Sequence, residues 1–261
     1  MLRWPMSIVV SLHLALSPPL LQAEEENMDR LLPGRGEIDE FDTLALVPGQ
    51  ADEPARLIIG DVHGFLHVFE RHGDAFEETW TSEYFESAIS GLIVIDINND
   101  DLEDLVVFTD KGRFHYLDLK AFNTIWSNPP NEYERITDLT ISNIDEDEQP
   151  ELIFCADGQL IIYDAHHKFE EWRSDQTNLN ATDILIGDVD GDGADEIVLN
   201  TGYVFDARFH DLEWQSPEPF GQHMGILDID NDGIVELVGE FGGRFIKIFD
   251  IDLRREKSIK P

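Results

Sequence analysis

Apolar residues in this chain gather into short runs rich in Val, Ile, Leu and Phe, separated by turn-forming residues, and the runs recur in register. Four segments align without gaps through an acidic stretch: DINNDDLEDLVVF from Asp96, NIDEDEQPELIF from Asn143, DVDGDGADEIVL from Asp188 and DIDNDGIVELVG from Asp228. Their starts lie 47, 45 and 40 residues apart. Each leads into an apolar run, a turn with glycine (Gly112, Gly158, Gly202, Gly243) and a second apolar run ending in Asp118, Asp164, Asp206 or Asp250. Trp126, Trp172 and Trp214 each follow that aspartate by eight residues, and Trp80 follows Glu70 by ten. The segment RLIIGDVHGFLHVFE, from Arg56, is a fifth, earlier copy whose preceding VPGQADEP lacks the acidic spacing.

No stretch sustains a helical period. A unit of about 45 residues with three or four short strands cannot bury its own faces, so neighbouring copies must stack. The pattern therefore predicts an all-β chain, a β-propeller of about five short four-stranded blades. The repeats fall near 37–83, 84–130, 131–176, 177–218 and 219–261. The last ends in LRREKSIKP, with Ser258 where tryptophan would stand. Its outer strand is expected to be poor, or to be supplied by residues 24–36.

Charge narrows the partners. With 55 Asp and Glu against 18 Lys and Arg, the formal net charge is −37, which repels nucleic acid and anionic membranes and favours cations. Residues 1–23 read as an export signal: Arg3, an apolar stretch from Ile8 to Leu16, and a Leu21-Gln22-Ala23 cleavage site. Pro18, Pro19 and His13 interrupt that stretch, so no membrane span is expected after cleavage. The predicted location is secreted, periplasmic or extracellular. Cys155 is the sole cysteine, so no intramolecular disulfide can form, and its apolar run marks it as a buried small hydrophobe.

The acidic loops carry the chemistry. Numbered from the first residue of each, oxygen-bearing side chains fill positions 1, 3, 5 and 9. They are Asp96, Asn98, Asp100 and Asp104; Asn143, Asp145, Asp147 and Glu151; Asp188, Asp190, Asp192 and Glu196; and Asp228, Asp230, Asp232 and Glu236. Calcium takes six to eight hard oxygen ligands at flexible geometry, which alternating carboxylates on a tight turn provide. Position 7 would add a backbone carbonyl from Leu102, Gln149, Ala194 or Ile234. Gly193 and Gly233 ease the turn in two loops, where Asp101 and Glu148 stand in the others. An EF-hand would need an acid at position 12 and flanking helices, but Val107, Phe154, Leu199 and Gly239 occupy that position. Up to four structural Ca2+ ions are expected. A solvated acidic turn is the alternative, and four copies of one alternation weigh against it.

At ILIGDVDGDGADEIVL (Ile184–Leu199) and GILDIDNDGIVELVG (Gly225–Gly239) the chain resembles the FG-GAP/VCBS repeat family. That family includes the calcium-binding propeller blades of integrin α subunits and many secreted bacterial proteins. The resemblance covers four of the five repeats and implies calcium in the loop joining the first and second strands of a blade. These repeats are shorter than integrin blades and lack clear FG and GAP elements, so integrin-like recognition in cell adhesion does not carry over.

Long connections between units are the usual seat of recognition on a rigid scaffold. Tyr84, Phe85, Tyr133, Arg173 and His223 are the candidate contacts for a protein or glycan ligand, with covering of blade seams as the alternative. The leading function is a calcium-binding interaction module. Alternatives are a polysaccharide lyase or hydrolase on the same frame, or an accessory subunit of a larger extracellular assembly. An enzyme would need carboxylates or bases converging in one cleft, for which Asp61, His63 and His223 are the residues to watch. No nucleophile motif, phosphate-cradling glycine loop or HExxH is present. His63 and His67 form an HxxxH pair, but in a turn-and-strand context they do not face one way.

Overall fold

A computed structural model describes residues 40–49, 53–145, 147 and 149–257. The predicted export signal, Ser258 and residues 24–36 lie outside these. The described residues form five four-stranded antiparallel sheets, each with its strands in chain order. The first holds β1 (Phe41–Val47), β2 (Arg56–Asp61), β3 (Leu66–His72) and β4 (Ala75–Thr81). The second holds β5 (Ile89–Ile95), β6 (Asp104–Thr109), β7 (Phe114–Asp118) and β8 (Thr124–Ser127). The third comprises β9 (Ile136–Ser142), β10 (Glu151–Ala156), β11 (Gln159–Asp164) and β12 (Phe169–Arg173). The fourth comprises β13 (Ile184–Gly187), β14 (Glu196–Leu199), β15 (Tyr203–Asp206) and β16 (Leu212–Gln215). The fifth runs through β17 (His223–Leu227), β18 (Glu236–Phe241), β19 (Phe245–Asp250) and β20 (Arg255–Lys257).

The chain divides into two compact units, one with the first two sheets and one with the last three. In the first unit, Ile58, Leu66 and Val68 pack with Ile89, Leu105, Val107 and Leu117 between the two sheets. In the second, Ile153, Cys155 and Ile162 pack against Ile197, Leu199 and Phe205, joining the third sheet to the fourth. Val198 and Val204 meet Leu237 and Phe249, joining the fourth to the fifth. Strand residues alternate between faces, so both faces of the fourth sheet are buried and its second strand is apolar from Ile197 to Leu199. Cys155 is fully buried, and burial pushes its thiol up to about 12. It packs and does not react.

The recurring aspartate and tryptophan have local causes. Asp118, Asp164, Asp206 and Asp250 end their strands and accept backbone N–H groups two or three residues on, closing the hairpin into the outer strand. Trp80, Trp126, Trp172 and Trp214 stand opposite Val68, Tyr116, Ile162 and Val204, and in each sheet the register slips by one residue beside that pair. The fifth sheet pairs β19 with β20 without a slip, which puts Lys257 opposite Ile248. The sequence expectation placed Ser258 in the tryptophan position; loss of the bulge moves that position to Lys257.

Gly239 is required by close approach. A Cβ there would lie 1.6 Å from the backbone carbonyl oxygen of Phe220. Gly239→Ala forces strand and connection apart, and a loss of about 3 kcal/mol is expected, read as a lower urea midpoint.

Candidate functional site

All four acidic loops join the first strand of a sheet to the second, and in each the position-9 carboxylate opens that second strand. Asp104, Glu151, Glu196 and Glu236 are between 1% and 4% exposed, so these carboxyls are sunk beneath the turn. In three loops one oxygen of this residue accepts the position-2 backbone amide: Ile144 to Glu151 at 2.9 Å, Val189 to Glu196 at 2.8 Å and Ile229 to Glu236 at 2.8 Å. The second oxygen of Glu236 accepts from Lys257 Nζ at 2.5 Å. The position-5 carboxylate accepts the position-7 amide in every loop: Leu102 to Asp100 (2.9 Å), Gln149 to Asp147 (2.5 Å), Ala194 to Asp192 (2.8 Å) and Ile234 to Asp232 (2.9 Å). These are Asx turns, and they fix one oxygen per aspartate while leaving the other for a ligand.

The turns demand left-handed backbone at two positions. Position 6 has φ of 66° at Asp101, 93° at Gly193 and 95° at Gly233, and position 4 has 56° at Asn99, 82° at Gly191 and 61° at Asn231. Gly, Asn and Asp are the residues that tolerate this region, so the loop composition follows from the curl of the chain as well as from charge.

The curl brings carboxylates together. Asp145, Asp147 and Glu151 form one set, Asp188, Asp190 and Glu196 a second, and Asp228, Asp230 and Glu236 a third; within each, one oxygen per residue lies within 4.8 Å of the others. Asp232 and Asn143 supply turn contacts beside them, the Asn143 amide donating to the Asp147 carbonyl at 2.8 Å. The first loop has Asn98 at position 3 and gathers no such set. Asp96 there accepts the Asp100 and Asp101 amides.

Electrostatics show the cost of assembling these groups. Glu196 is raised to about 8 and Glu151 to about 7, in both cases first by burial, with neighbouring carboxylates adding to it and the position-2 amide opposing. The outer strand adds a further acid. Glu171 and Glu213, the bulged residues before Trp172 and Trp214, are also held above the ordinary carboxylate range. Burial is the first cause in both, and loop aspartates contribute. Uncompensated acceptors remain as well: Asp228 Oδ1, Asn98 Oδ1 and Gln149 Oε1 are buried without a hydrogen-bond partner. Buried acceptors without donors suit an oxygen-liganded cation. The residues present fit calcium.

The predicted ligand contacts divide. Tyr84 is exposed, with its hydroxyl donating to the Glu86 carbonyl at 2.7 Å. Phe85 is half-buried, edge-on to His115. Tyr133 is 2% exposed, packs edge-on against Phe154 and donates to Glu170. It belongs to sheet packing, which corrects the expectation of a surface contact. Arg173 pairs with Glu170 at 2.6 Å and lies over the Tyr133 ring. His223 opens β17, half-buried. Asp61 is buried and engaged: its carboxylate accepts the His63 and Phe65 amides and faces His67 at 3.3 Å. His63 lies in the turn and His67 on the strand, where its second ring nitrogen meets Glu78 at 2.8 Å.

Glu171, Glu213 and Lys257 were not anticipated as loop neighbours. The signal for the first two is the acid immediately before tryptophan in two repeats. No helix among the described residues is long and apolar enough to cross a membrane.

No protein-family model and no curated protein sequence matches the chain. Solved structures do. Sqt1 from Saccharomyces cerevisiae superimposes with a TM-score of 0.63 at 12% identity, over 86% of this chain and 62% of that one. BBS1N, solved in complex with ARL6DN, gives 0.57 at 12% identity, over 85% and 68%. The V. cholerae biofilm matrix protein Bap1 gives 0.55 at 17% identity, over 78% of this chain and 34% of its own. The five sheets together with these likenesses establish an all-β, β-propeller fold. The chain spans about 62% of the length of Sqt1.

Proposed function

We propose that this protein is an extracellular calcium-braced propeller that presents its connecting loops to a protein partner. One observation carries the reading. Three loops of the same turn geometry bring three carboxylates each within 4.8 Å, and in every set the buried glutamate gives one oxygen to its own backbone. Calcium supplies the charge that such a set needs, and residues Asp145, Asp147 and Glu151 or Asp188, Asp190 and Glu196 would hold it. With one cysteine the chain can form no intramolecular disulfide, which suits an exported protein stapled by metal instead. The resemblance to FG-GAP/VCBS repeats agrees with this reading. A protein partner is favoured over a glycan because a propeller of the same fold, BBS1N, is recorded in a protein complex.

Calorimetric titration of the metal-free chain with calcium chloride tests the metal half. Binding is expected at the third and fourth sheets; no heat and no saturable uptake would end the reading. Protons should leave as calcium enters, because at pH 7 in the metal-free protein Glu196, at about 8, is largely protonated and Glu151, at about 7, about half protonated. About one to two protons should be released across the two loops, read from titrations in buffers of different ionisation enthalpy. Affinity should fall as pH drops from about 8 to 6. Partner capture in calcium, compared with capture in chelator and with glycan-array binding, separates a protein ligand from a glycan.

A further inference from the structure

The acidic loop of the fifth sheet differs from its counterparts because a cation of the protein's own reaches it. Lys257 Nζ lies 2.6 Å from Asp230 Oδ2 and 2.5 Å from Glu236 Oε1, two of the three carboxylates of that set. The Glu236 oxygen it meets is the one not taken by the Ile229 amide. The lysine arrives there by register. It stands opposite Ile248, the position that the other four sheets give to tryptophan, and the bulge that precedes tryptophan elsewhere is missing. In the third and fourth sheets the bulged residue is Glu171 or Glu213, whose charge is felt by the loop aspartates. The outer strand thus adds an acid to two loops and an ammonium to the third.

We infer that Lys257 is the resident counter-ion of the fifth-sheet loop: its ammonium occupies the place a divalent cation would take and ties β20 to that loop. A divalent ion between Asp230 and Glu236 would sit against the ammonium, and like charges at contact repel strongly wherever water is partly excluded. The loop therefore takes no calcium while β20 is docked. An ammonium neutralises one charge of the set without needing six ligands. Asp228 Oδ1, buried and unpaired, is left over as the acceptor the lysine does not reach.

This rests on the calcium reading of the other loops only for what it predicts about metal uptake. The test is calcium chloride titration of the full chain as wild type, Lys257→Met, Lys257→Gln and Lys257→Met/Asp230→Asn. Both single variants are expected to gain one calcium site per chain over wild type, and the double variant to lose it again. An equal number of sites in wild type and single variants, zero included, overturns the inference. If wild type takes none and the variants take one, the inference stands and the calcium reading of the third and fourth sheets falls. A second readout needs no metal: amide exchange of Arg255–Lys257 should be at least about tenfold faster in Lys257→Met than in wild type. Unchanged exchange would overturn the docking role.

Discussion

Removing calcium is expected to lower the protein's melting temperature by about 10–20 °C. The size follows from mass action. Two loops, those of Glu151 and Glu196, gather a carboxylate set, whereas Lys257 reaches into the third set, that of Glu236. At free calcium about 100-fold above the dissociation constant each adds about 2.7 kcal/mol, so together about 5 kcal/mol. A chain of this size shifts by about 2–4 °C per kcal/mol. Stripping the ions also leaves Asp145, Asp147 and Glu171 or Asp190, Asp192 and Glu213 facing one another with only protons and water to soften the repulsion. Scanning calorimetry in calcium and in EDTA measures the shift, and Glu196→Gln should reproduce roughly half of it. A melt indifferent to EDTA would remove the calcium from the account.

Much of this site was legible because the loop is a contiguous string. Positions 1, 3, 5 and 9 must lie close once the chain curls, and the Asx turns at Asp100, Asp147, Asp192 and Asp232 are local events. The strand pattern was legible for the same reason: each sheet is a meander whose partners are neighbours in sequence. The features the sequence hid depend on register between strands. The slip beside Trp172 and Trp214 decides that Glu171 and Glu213 lie near the loop, and its absence in the fifth sheet decides that Lys257 does. A bulge leaves no reliable mark in a short strand, so counting from Asp250 put Ser258 where the pairing puts Lys257. Tyr133 misled for a related reason. It sits in a connection of polar composition, yet its ring reaches under the sheet to Phe154.

Replacing Asp138 with asparagine stabilises the protein at pH 8 and leaves it unchanged near pH 3. Asp138 lies on β9, and its Oδ2 accepts the Ile184 amide of the next sheet at 2.9 Å. Asp183 repeats the device one sheet further on, accepting the Met224 amide. Each carboxylate is a staple between neighbouring sheets, and the two repel. Burial first, then the charge of Asp183, raises Asp138 to about 7. A carboxyl raised in the folded state holds a proton that the unfolded chain has released, so its contribution is intact below about pH 4 and is lost as pH climbs to about 7. A rise to about 7 from the ordinary carboxylate value corresponds to about 4 kcal/mol at most, and about 2–4 kcal/mol allows for water reaching the half-buried residue. Asparagine keeps an oxygen for the Ile184 amide and carries no charge to desolvate. Urea unfolding of wild type and Asp138→Asn from pH 3 to pH 8 should show the two stabilities parting with pH, since Glu151 and Glu196 titrate in both chains and cancel in the difference. Curves that stay parallel would mean that Asp138 is ionised throughout, and that solvent or an opposing charge reaches the seam between the third and fourth sheets.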